Sequence, residues 1–173
     1  FKKKNTNIGI IYRNYKDQKR DLNLIKIANE CKKNRYQLFV SNDVKLAIKF
    51  KADGIYIPSF NKTERFWNIE KKNIKILGSA HNQKEIQMKK FQKCNEIFLS
   101  PVFKITKNHN VLNLHRFNHL SRINKTNIYA LGGIAENNFR KLKLLNIKGF
   151  GGISLFKKKP ASEKPVFLKN NFF

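Results

Sequence analysis

Arg13, Asn42, Asp43, Ser79, Thr106 and Lys107 each lie at or just beyond the end of a short apolar run, and their side chains suit an anionic ligand. Guanidinium and ammonium groups neutralise phosphate or diphosphate. The Asp43 carboxylate is of the type that holds Mg2+ together with phosphate oxygens. Ser41-Asn42-Asp43 also precedes an apolar-periodic run, so Asp43 equally fits the cap of a helix. Two more runs end in glycine pairs, Gly132-Gly133 and Gly151-Gly152, the second followed by Ile153-Ser154. Glycine lets backbone N–H groups approach an anion closely, and it can equally relieve crowding between loops. His115 and His119 have helical metal spacing but no third ligand, and read as a surface pair. His81 follows Ser79 and is a candidate for the lining of a pocket. No Ser/His/Asp or Cys/His constellation is present.

The elements that must position these residues alternate regularly. Seven apolar runs read as strands, beginning near Ile8, Leu38, Gly54, Ile74, Ile97, Ile128 and Phe150. Between them run stretches of helical periodicity. Leu24, Ile27, Ala28 and Cys31 share one face of a helix over 21–33, and Val44, Ala47 and Ile48 mark a short one. Phe66, Trp67 and Ile69 mark a third. Asn82 with Glu85 forms a capping box before Ile86 and Phe91. Leu114, Phe117 and Leu120, then Phe139, Leu142 and Leu145, mark two more.

Strand and helix in alternation imply a parallel sheet, whose ligands bind beyond the carboxyl ends of its strands. Seven such units predict an α/β fold of the (β/α)8 TIM-barrel type, with the first strand and the last helix missing or shortened. Pro160 and Pro165 argue against a long closing helix. The expected division is a barrel over 1–156 and a basic C-terminal tail over 157–173.

Composition narrows the partners. The chain has 173 residues, enough for one domain with a core, and a formal net charge of +26. Its lysines are spread along every segment without an RNA-binding signature, so diffuse solvated charge is favoured over a nucleic-acid interface. No apolar run is long enough to span a membrane, and the N-terminal residues do not read as a signal peptide. Cys31 and Cys94 have neither pairing nor metal spacing. The expectation is a cytoplasmic protein with reduced thiols and small phosphorylated ligands.

In order and spacing, five motifs resemble those of thiamine-phosphate synthases and the related thiazole tautomerases. They are Tyr12-Arg13-Asn14-Tyr15; Val40-Ser41-Asn42-Asp43 with Ala52-Asp53-Gly54-Ile55-Tyr56-Ile57; Gly78-Ser79-Ala80-His81; Ser100-Pro101-Val102-Phe103 through Thr106-Lys107; and Ala130-Leu131-Gly132-Gly133-Ile134 with Gly152-Ile153-Ser154. The resemblance implies joining of hydroxymethylpyrimidine diphosphate to a thiazole phosphate, with release of pyrophosphate. It implies Arg13, Ser79 and Lys107 as catalytic residues and Asn42, Thr106, Gly133, Ile153 and Ser154 as substrate-binding ones. Mg2+ is the implied cofactor, with Asp43 and Asn61 at its ligand positions.

The chain departs from the family pattern at several of these places. Ile11 and Tyr15 stand where the Gln-Leu-Arg-x-Lys motif has its glutamine and lysine, and Asn61 replaces the second magnesium carboxylate. Pro101 stands where the tautomerase branch has its histidine. A non-catalytic or altered relative that binds a phosphorylated thiazole or pyrimidine is therefore the alternative to a synthase. A basic nucleic-acid binder is the third reading.

Overall fold

The fold follows from strands that bury both faces. A computed structural model describes residues 7–15, 19–63, 74–105, 111–152 and, for the backbone alone, 166–169. Seven strands run parallel: β1 (Ile8–Tyr12), β2 (Gln37–Ser41), β3 (Gly54–Ile57), β4 (Lys75–Ala80), β5 (Glu96–Leu99), β6 (Asn127–Ala130) and β7 (Gly149–Gly152). β2, β3, β5 and β7 are buried throughout, as expected of strands covered on both sides.

The pairing register sends Ile11, Phe39, Tyr56, Leu77, Phe98 and Tyr129 to the inside, where they form one cluster with Leu131. Alternate residues such as Leu38, Val40, Ile55, Ile57 and Ile97 face the helices and belong to the larger core. Tyr56, Phe98 and Tyr129 follow one another at ring-centroid distances of 6.2 and 5.3 Å, within the range of favourable aromatic contact.

The expected (β/α)8 barrel is corrected in one respect. The fold is α/β with seven parallel strands, but the neighbour of both β7 and β1 is an antiparallel strand, β8 (Val166–Lys169). The eighth place is therefore not a parallel strand with its own helix. Part of the segment expected as a tail beyond the barrel lies in the ring. Backbone pairing explains the substitution, because an open edge on β1 and β7 leaves N–H and C=O groups unsatisfied.

The helices match their sequence signals closely. Helix α1 (Arg20–Asn34) buries Leu24, Ile27 and Cys31 and ends on Arg35 in the left-handed region, where the Tyr36 N–H returns to the Cys31 carbonyl. Helix α2 (Val44–Lys49) is capped by Asp43, and α3 (Gln83–Phe91) by Asn82, each accepting the N–H three residues on. Helix α4 (Asn113–Ile123) buries Phe117 and Leu120. The stretch Phe139–Leu144 is a 3-10 helix rather than an α-helix; apolar residues three apart fit either form. The helix expected at 66–69 lies outside the described residues. No helix among the described residues is long and apolar enough to cross a membrane. Cys31 and Cys94 are both buried and, among the described residues, form no disulfide.

Gly54 is fixed by close approach. A Cβ there would lie 2.4 Å from the Lys75 carbonyl oxygen and 2.5 Å from the Phe39 ring. Gly54→Ala is expected to lower the unfolding free energy by about 2 kcal/mol or more, read from urea denaturation. Wild-type stability in that variant would show that Phe39 has room the packing denies it.

Candidate functional site

The carboxyl ends of β1 to β4 converge on one polar cluster. Ser41, the buried last residue of β2, sits between Tyr15 and β3: its hydroxyl is 2.6 Å from the Tyr15 hydroxyl and donates to the Tyr56 carbonyl at 3.3 Å. Asn42 follows in the left-handed region (φ 59°), a conformation asparagine tolerates better than most residues. Its N–H donates to the Tyr56 carbonyl, and its side-chain oxygen accepts from the Asn61 amide. The guanidinium of Arg13 lies 5.5 Å from the centre of the Tyr56 ring, a cation–π geometry. It makes no hydrogen bond or ion pair among the described residues. Ser79 is buried at the end of β4 beside the Tyr56 hydroxyl; burial raises the pKa of that phenol, against the opposing field of Arg13.

Arg20 is the participant that sequence reasoning missed. Its Nη1 donates to Asp43 Oδ2 at 3.1 Å and its Nη2 to the Ser41 carbonyl at 2.8 Å. The same guanidinium lies 5.8 and 5.9 Å from the Tyr12 and Tyr15 rings. One signal was available: Arg20 is the first residue of α1, where the helix dipole disfavours a cation and a neighbouring acid offsets it. The other oxygen of Asp43 accepts the Leu46 N–H at 2.9 Å.

These contacts decide how far the expected Mg2+ ligands fit a metal. Asp43 has one oxygen on a helix cap and the other on a guanidinium. The Asn61 oxygen accepts from the Thr63 N–H and hydroxyl at 2.8 and 3.0 Å. Among the described residues no three His, Cys, Asp or Glu side chains group as metal donors. As arranged, one paired carboxylate and one engaged amide do not fit Mg2+, which requires near-octahedral oxygen ligands.

The glycine pair after β6 lies in a second part of the mouth. Gly132 and Gly133 both have positive φ, 91° and 71°. A Cβ on Gly132 would meet Pro101 at 2.8 Å, and one on Gly133 the Phe103 carbonyl at 2.5 Å. Crowding against the loop after β5 therefore requires both glycines. The Gly132 carbonyl accepts from Phe103, and the Gly133 carbonyl from the Asn138 amide at 2.7 Å. Neither glycine N–H has a partner among the described residues, which leaves both available to an anion. Thr106, Lys107, Ile153 and Ser154 lie outside the described residues. His81 is half exposed, and its ring lies 2.9 Å from the Glu85 carboxylate.

A buried lysine braces the Asn61 loop. Lys89 is fully buried, and its ammonium donates to the Pro58 and Asn61 carbonyls and to Gln92 Oε1 at 2.8, 2.7 and 2.8 Å. Desolvation lowers its pKa to about 8, and raises that of the adjacent Cys94 thiol to about 12.

The family described as "Thiamine monophosphate synthase" matches residues 7–156. A thiamine-phosphate synthase of Prochlorococcus marinus (strain SARG) is 32% identical over 126 residues, covering 70% of this chain and 36% of the relative. A second, from another strain of the same organism, is 29% identical over 148 residues, covering 82% of this chain and 40% of the relative. The chain thus spans well under half the length of these curated relatives. A solved thiamine phosphate pyrophosphorylase from Pyrococcus furiosus superposes with a TM-score of 0.70 at 19% identity, over 84% of this chain and 71% of that one. At that identity the likeness concerns the fold.

The Lys89 and Cys94 shifts set a pH dependence. Lys89 falls from 10.5 to about 8 in the folded protein, so above pH 8 the unfolded chain holds a proton the native one has released, and stability rises with pH. Cys94 rises from 9.0 to about 12, so above pH 9 the native chain holds the extra proton and stability falls. The unfolding free energy is expected to rise between about pH 8 and 9 and then level off, with the rise absent in Lys89→Met. A wild-type profile that is flat or falling over that interval contradicts the assignment.

Proposed function

The chain belongs to the thiamine monophosphate synthase family, and from that premise we propose that it joins hydroxymethylpyrimidine diphosphate to a thiazole phosphate and releases pyrophosphate. The observation that carries this reading is Arg13, a guanidinium without an ion-pair partner among the described residues, held at the strand ends over the ring of Tyr56, whose carbonyl accepts the Asn42 N–H. A cation fixed there stabilises a departing diphosphate more than the bound ester, because negative charge grows on the bridging oxygen as the bond breaks.

In the reaction read this way, the C–O bond between the pyrimidine methylene and the diphosphate breaks, and the electron pair leaves with the diphosphate. The thiazole nitrogen then supplies a pair to the methylene cation and forms the new C–N bond. Arg13 and Asn42 hold the diphosphate; the family resemblance adds Lys107 to that role and Thr106 to substrate binding. Ser79, beside the Tyr56 hydroxyl, is assigned to the pyrimidine. The N–H groups of Gly132 and Gly133, with Ile153 and Ser154, take the thiazole phosphate. No step is routed through Mg2+.

A second reading has one observation in its favour. Asn61 and Tyr15 replace charged residues of the family pattern, and both are bonded internally. A relative that binds a phosphorylated thiazole or pyrimidine without turnover fits that loss of charge. It predicts thermal stabilisation by thiazole phosphate and no product.

Incubation with both precursors, with and without Mg2+, is expected to yield thiamine phosphate. Arg13→Ala is expected to lower kcat/KM about a hundredfold without loss of folding. Stabilisation by thiazole phosphate with no product from the two precursors would replace the synthase reading by the binding one.

A further inference from the structure

We propose that Arg20 is a diphosphate-binding residue that occupies the place on Asp43 where the family resemblance puts Mg2+, so that this chain binds pyrophosphate without a metal. The inference rests on the proposed function for its ligand and on the Arg20 geometry for its substance. Both oxygens of Asp43 are engaged, one by the Leu46 N–H and one by Arg20. Asn61 offers an amide oxygen that is already bonded. A divalent cation entering here must displace a guanidinium from a half-buried carboxylate, the side chains being 20% and 32% exposed.

The guanidinium is also placed to do what the metal would do. It is anchored at the strand ends by the Ser41 carbonyl and flanked by the Tyr12 and Tyr15 rings. Tyr15 stands at the family's lysine position, so the positive charge missing there is restored from α1. Arg20 Nε is buried and has no hydrogen-bond partner among the described residues, which leaves a donor without an acceptor. A buried N–H without a partner costs free energy, and a small side-chain shift toward a phosphate oxygen relieves that cost. Asp43 keeps the fork oriented, and Arg13 supplies the second cation. One carboxylate against two guanidiniums leaves the cluster net positive toward a polyanion, whereas a metal site requires the opposite sign.

The test is titration calorimetry with inorganic pyrophosphate, in EDTA and in Mg2+, on wild type, Arg20→Gln and Arg20→Lys. Wild type is expected to bind in EDTA. Arg20→Gln is expected to lose roughly tenfold or more in affinity there and to recover part of it in Mg2+, because Asp43 is released. Arg20→Lys, which keeps the charge but not the fork, is expected to fall between them and guards against a folding defect in the glutamine variant. Wild-type binding that requires Mg2+, absence of binding in both conditions, or equal affinities in EDTA for all three proteins would overturn the proposal. Metal-free binding through Arg20 with no thiamine phosphate formed from the precursors would leave it standing and remove the synthase reading alone.

Discussion

The packing of side chains inside the ring is the constraint on which everything else depends. Phe39, Tyr56, Phe98 and Tyr129 fill the interior, and small residues make room for them: Phe39 faces Gly54, and Tyr129 pairs with Gly149. An interior filled this way is a core and not a channel. Polar side chains that cannot enter it must gather at the strand ends. Tyr56 belongs to both regions, with its ring in the plug, its hydroxyl beside Ser79, its carbonyl accepting from Ser41 and Asn42, and Arg13 on its face. The inner packing and the mouth are thus connected through one residue.

Charge is distributed by the same logic. Most of the described lysines are exposed, and the basic residues that matter are those with a fixed partner. Lys89 is buried and satisfied by three oxygens, so it shapes the loop that carries Asn61 instead of meeting a ligand. Arg20 is held by Asp43 and the Ser41 carbonyl. Arg13 has, among the described residues, only an aromatic face beneath it. The three sites differ in what remains available to an anion, and that difference separates scaffold from binding surface.

Much of this was legible in the chain, because local periodicity determines it. The seven parallel strands, the caps Asp43 and Asn82, and the stripe Leu24, Ile27 and Cys31 depend on residues close in sequence. Gly132 and Gly133 were legible as a special place, although crowding against Pro101 and Phe103 required the folded loops. β8 was not legible, since its pairing with β1 and β7 is long-range and two prolines precede it. The tie between Arg20 and Asp43 spans 23 positions, and no spacing rule announces it. Asp43 therefore read as a cap or a metal ligand, and the structure gives it a cap and a guanidinium.

A crystal structure with pyrophosphate bound tests most directly whether these strand ends form a single anion-binding mouth. The diphosphate is expected at the carboxyl ends of β1 and β2, in contact with Arg13 and Asn42. A diphosphate seated instead at the opposite end of the ring, beside Lys51 and Lys75, would contradict it.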